Sequence, residues 1–102
     1  MSEVNAPAEM DAPVLDTLMQ MNEGVLERSG LDPATFMLVR IAALAATGAP
    51  PASYLLNLEA AAEVGLEVEQ IQGVLIGIAP VVGSARVASA GSSIAQALGL
   101  TG

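Results

Sequence analysis

The sequence predicts an all-α fold, a compact bundle of about five helices. Three observations predict it. Apolar residues recur at spacings of three and four, and no stretch alternates at two as a half-buried strand would. Proline and glycine fall between the apolar stretches, where helices start and stop. And 53% of the 102 residues are apolar against 14% charged, so there is ample surface that must be buried.

Residues 1–12 read as a flexible acidic N-terminal arm, polar and punctuated by Pro7. Residues 13–102 read as a single helical domain. The first helix covers Pro13 to Ser29, with Val14, Leu18, Met21 and Val25 at helical spacing and Gly30 as its stop. Gly24 weakens it by about 1 kcal/mol relative to Ala. Asp32-Pro33 opens the second helix, Asp32 capping free amides and Pro33 losing none. That helix runs through Phe36, Met37, Ile41 and Leu44 to Gly48. Pro50-Pro51 starts the third, through Leu55, Leu58 and Ala62 to Gly65.

The fourth helix starts near Val68, and Pro80 and Gly83 end it. Apolar residues surround most of it, which places it at the centre of the fold. Gly73 and Gly77 in it allow a neighbouring helix to come close. Ser84 caps the fifth helix, which carries Val87, Ile94 and Leu98 and stops at Gly99. Its small residues Ala85, Ala88, Ser89 and Ser92 suit tight helix packing, within the chain or between subunits. The methionines Met19, Met21 and Met37 read as core.

Composition excludes much chemistry. There is no Cys, His or Lys, and the formal charge is −8. No thiolate nucleophile, disulfide, zinc–thiolate site or imidazole base can form, and no metal or cofactor is expected. Arg28, Arg40 and Arg86 are too scattered for a nucleic-acid surface. An anionic membrane would repel the chain. The apolar runs 71–82 and 36–46 are shorter than a membrane span and are interrupted by Gln72, Pro80 and Arg40. Residues 1–11 are acidic, unlike a secretory leader, so the expected location is the cytoplasm. A mean hydropathy of +0.59 with so few charges leaves apolar patches on a small monomer, and such patches mark subunit contacts. The expected partner is a second copy of the chain.

The run Leu31-Asp32-Pro33-Ala34-Thr35-Phe36-Met37-Leu38-Val39-Arg40 resembles the opening of the carboxymuconolactone decarboxylase family, which includes the alkylhydroperoxidase D type proteins. The likeness continues through Gly48-Ala49-Pro50-Pro51, residues 59–66, Ile71-Gln72-Gly73-Val74-Leu75 and Ala79-Pro80-Val81-Val82-Gly83. The resemblance implies an all-helical, alkylhydroperoxidase D-like fold assembled as trimers or hexamers. It also locates an active site. Redox members carry Cys-x-x-Cys with a His four residues later, at a helix start that stabilises a thiolate. By that resemblance, Pro50 and Ser53 stand where the cysteines would be and Asn57 where the His would be. Met37 stands where a Glu often lies. Every group needed for peroxide or disulfide chemistry is missing. Ser53 has no base beside it, and Asn57 cannot take a proton near neutral pH.

The candidate pocket is Arg40, Ser53, Tyr54, Asn57 and Glu59. Arg40, between Val39 and Ile41, is expected to bury at least its stem and to pair with Glu59 or Glu63. The alternative is a clamp for a substrate carboxylate. Ser53 and Asn57 lie four apart with Tyr54 between: a small polar pocket, or an amide that satisfies backbone. Glu59 and Glu63 form an i, i+4 carboxylate pair, more simply a solvated face than an acid–base pair. Tyr54 reads as packing rather than as an acid. Two functions follow. One is a catalytically silent helical protein, structural or binding a small anionic ligand. The other, implied by the family, is a lyase or decarboxylase acting on a small organic acid or lactone.

Overall fold

Asp32 fixes where the helical core begins. Its carboxylate accepts from the Thr35 amide at 3.2 Å and from the Thr35 hydroxyl at 2.6 Å. Pro33 follows as the first helical residue and has no amide to leave unpaired. The structure, a computed structural model, describes residues 13–14, 16–17 and 20–99. Its contacts divide the chain between Leu31 and Asp32 into two units. The acidic arm at residues 1–12 lies outside the described residues, as do Leu18 and Met19.

In the first unit, helical residues 20–22 give way to a turn at Glu23 and Gly24 before α1 (Val25–Ser29). The expected continuous helix over 13–29 is therefore broken. Gly24 adopts φ +71°, a left-handed conformation open to glycine at no steric cost. Gly24 breaks the helix instead of merely weakening it. No residue of α1 is buried, and Met21 is 65% exposed. The reading of Met21 as core is corrected.

The second unit holds α2 (Pro33–Thr47), α3 (Pro51–Glu63), α4 (Val68–Val82) and α5 (Ser84–Ala97). No strand occurs among the described residues, and the all-α reading stands. Helices α2 and α5 touch each other, and each touches both α3 and α4, while α3 and α4 do not meet. The inner pair is thus α2 and α5, with α3 and α4 as flanks. Helix α2 buries Met37, Ile41 and Ala45 at i, i+4 and i+8, one face of a helix. Helix α3 supplies Tyr54, Leu58 and Ala61, and α5 supplies Ala90 and Ile94.

The expectation that the fourth helix is central is overturned. Ile71 is its sole buried residue. Ile76 is 74% and Val81 85% exposed. An all-round apolar sequence marks a helix that could be buried on every side, and this chain has too few other helices to surround it. Gly73 and Gly77 do not receive a neighbour either, since a Cβ at either would meet no atom within 4 Å. Pro80 does not end α4, which continues to Val82. Pro80 has no N–H for the Ile76 carbonyl, but Ile76, Gly77, Pro80 and Val81 are all exposed, so water can serve that carbonyl. The start of α4 uses a signal missed in the sequence, a capping box between Glu67 and Gln70.

Ser84 is the first residue of α5 and not its cap; Gly83, at φ +93°, holds the cap position without a side-chain bond. Ala85, Ala88, Ser89 and Ser92 are all exposed, so their face packs on nothing within the described chain. A long-range tie joins the inner helices. Arg86 Nη1 on α5 donates to the Ala46 carbonyl at 2.9 Å, in the last turn of α2. That end of a helix carries unpaired carbonyls and partial negative charge.

Two predictions follow from these contacts. Arg86→Ala should lower unfolding stability by about 0.5–1.5 kcal/mol, the net worth of a hydrogen bond. Urea titration measures this, and an unchanged midpoint would show the tie is idle. The second concerns Asp32, whose carboxyl is held below the usual aspartate range by its bonds from Thr35, the side-chain bond first. Its contribution is complete above that usual range and is lost as pH falls through the lower, folded value. Asp32→Asn keeps a cap but removes the charge. Wild type should exceed the variant in stability near neutrality, and the gap should narrow as pH falls below the usual aspartate range. A gap independent of pH would contradict this.

Candidate functional site

Helices α2 and α3 set the candidate residues. Along α2, Phe36 and Arg40 are one turn apart on one face. The Arg40 guanidinium lies over the Phe36 ring, 4.7 Å from its centroid. This cation–π contact is worth about 0.5–1 kcal/mol where water has access. Arg40 is half-buried, while Glu59 and Glu63 stand exposed, so the buried ion pair that the sequence reading expected between them does not form. Phe36 is the partner that reading missed; the i, i+4 spacing of an aromatic and an Arg was the available signal.

Arg40 opens onto a shallow cleft of about 220 Å³ lined by Arg40, Ala43, Leu44 and Asn57. The structure thus brings together two predicted residues, one from each helix, beside two apolar residues that sequence reasoning did not single out. Asn57 is half-buried. Its side-chain amide donates to the Ser53 carbonyl at 3.0 Å, one turn back along α3. Ser53 itself is exposed at the helix start, where its amide donates to the Pro50 carbonyl at 3.0 Å. Glu59 and Glu63 stand exposed on α3, and Glu59 is not part of the cleft lining.

Tyr54 takes a different place. It is fully buried among Met37, Ile41, Leu58 and the other core residues. Its hydroxyl is buried without a hydrogen-bond partner among the described residues. Burial pushes that hydroxyl above its usual pKa, because the charged phenolate would lose its solvation. Tyr54 is therefore a packing residue, as the sequence reading favoured, and supplies no ionised group to the cleft. Met37 is likewise buried in this core.

No cluster of three or more His, Cys, Asp or Glu that could hold a metal ion occurs among the described residues. None of the described helices is long and apolar enough to cross a membrane.

The second unit is thus an all-helical core in which α3 starts at Pro51, turns Tyr54 inward and presents Asn57 to the Arg40 cleft. The family model described as carboxymuconolactone decarboxylase matches residues 12–97. The chain belongs to the carboxymuconolactone decarboxylase family, as a member whose sequence contains no cysteine. No curated protein and no solved structure matches it.

The orphan hydroxyl gives a prediction. Tyr54→Phe removes a group with no partner, so stability should be unchanged or higher. Tyr54→Ala opens a cavity and should cost about 3–5 kcal/mol, as for other buried aromatics. Chemical denaturation of both variants checks this. A loss above about 1 kcal/mol for Tyr54→Phe would mean the hydroxyl has a partner.

Proposed function

We propose that this protein is a non-redox, catalytically silent member of its family. In this reading it self-assembles through its exposed helical faces and holds a small anion at the Arg40–Asn57 cleft without transforming it. One observation carries the reading. Asn57, at the position of the family's imidazole, has its amide committed to the Ser53 carbonyl at 3.0 Å. The cleft then offers a guanidinium, the remaining capacity of one amide and two apolar walls. A guanidinium cannot be deprotonated in a protein and an amide does not titrate near neutrality, so none of the described lining side chains is a general base. The nearest phenol, Tyr54, is buried and harder to ionise than a free one.

Self-assembly is supported by apolar residues left in water. Leu56 and Ile76 are each 74% exposed and Val81 85%, while the formal charge is −8. A face without charge lets like-charged chains associate with little repulsion, and α4 offers one in Gly73, Ile76, Gly77, Pro80 and Val81. Light scattering behind gel filtration should give the mass of three or six chains; the mass of one chain would overturn this part.

A second reading rests on Arg40 alone. A guanidinium at the mouth of a cleft can orient a carboxylate, as a lyase or decarboxylase acting on a small organic acid or lactone requires. Purified protein, offered a hydroperoxide and a small carboxylated lactone, separates the two. The proposal expects neither peroxide loss nor carbon dioxide release above a heat-denatured control. Release that disappears in Arg40→Ala would establish the lyase reading and end the silent one.

A further inference from the structure

A second cavity lies away from the Arg40 cleft, between α4 and α5. It measures about 180 Å³ and is partly enclosed. Its floor reaches the core through Ile71 and Ile94, both 7% exposed. Leu75 and Ala95 add to the walls, and Val68 and Leu98, both part-exposed, lie at the rim. Among the described lining residues Gln72 has the single polar side chain, and none is charged.

Gly91 helps to explain why the space exists. It lies within α5 and lines the cavity, and a Cβ built on it would meet no atom within 4 Å. A helix-interior glycine costs about 1 kcal/mol relative to alanine, and here no close helix approach requires it. The neighbouring Ile71 and Ile94 are already packed in the core, so they cannot move in to fill the gap without vacating it. The volume is close to that of an engineered apolar cavity of about 150 Å³ that takes up benzene, with the difference that this one is open to solvent on one side. Water gains little here, because among the described lining side chains Gln72 alone can bond to it.

From this geometry we infer a binding site for a small uncharged ligand of monocyclic aromatic or short branched-hydrocarbon type, bearing at most one hydrogen-bonding group to meet Gln72. A charged molecule of the same size is excluded, since it would lose its hydration with no counter-charge in the lining. The site is independent of the anion proposed for Arg40, and it stands or falls separately from that reading.

Toluene and benzoate are the matched probes, similar in size and different in charge. Methyl-resolved NMR of the full chain should show toluene shifting Ile71, Leu75, Ile94 and Leu98 while the methyls of Leu38 and Leu55 stay put. Benzoate should leave all of them unmoved. Gly91→Leu fills the cavity and should abolish the toluene shifts. Gly91→Ala, whose Cβ enters open space, should fold as well as the parent and weaken toluene binding. Four results would overturn the inference. They are no shift at the solubility limit of toluene, shifts spread over all methyls, equal binding of benzoate, or shifts that survive in a folded Gly91→Leu. A fifth is movement of the same four methyls on simple dilution without ligand, which would assign the cavity to a second copy of the chain.

Discussion

The apolar stripe of α2 is the constraint on which the rest of the second unit depends. Met37, Ile41 and Ala45 form it, and Ile41 and Ala45 are wholly out of water. Helices α3, α4 and α5 all pack on α2. Ile41 and Tyr54 are the largest fully buried side chains, each contributing about 1.5–3 kcal/mol by burial. Among the described residues no charged side chain is buried, and the Tyr54 hydroxyl is the polar side-chain group that lies in the core. The core is held together by exclusion of water and close packing, a force without direction. Orientation comes from the ends: Asp32 on Thr35, Glu67 with Gln70, and Arg86 on the Ala46 carbonyl.

The same packing shapes the candidate site. Tyr54 sits on α3 between Ser53 and Asn57 in register with the α2 stripe, and it turns inward to meet that stripe. Its position is thereby spent on stability, with an unpaired hydroxyl as the residual cost. Asn57 is left on the flank of α3 facing the Arg40 turn of α2, which is how those two come to share a cleft. A proton carrier at Asn57 or Met37 would have to be accommodated beside this dry core. The side chains found there are an amide that bonds its own helix and a thioether that packs.

Helix existence, order and most boundaries were legible in the sequence because each rests on local chemistry. Asp32-Pro33, Pro50-Pro51, Gly30 and Gly48 act within a turn of where they stand, and each does what its type dictates. The inward face of α2 was legible for the same reason, from apolar spacing. What failed was everything that depends on neighbours. Periodicity cannot say which of several apolar helices is enclosed, so α4 was placed at the centre although α2 and α5 occupy it. Gly24 was read as a weak point in a helix because its φ of +71° is set by the chain around it. At the site, Arg40 was found as a charge set in an apolar helix, and Asn57 through the family pattern. Their neighbours Ala43 and Leu44 carry no chemical signal of their own, and Phe36 was overlooked as a stacking partner although its spacing from Arg40 was in view.

Hydrogen exchange resolved by residue tests most directly whether the fold is organised around α2. Amides open with free energies that track how deeply their element is packed. The amides from Met37 to Ala45 should be among the slowest in the chain, and those of α1, which buries no residue, among the fastest. Protection concentrated in α4, with α2 exchanging as rapidly as α1, would contradict the account.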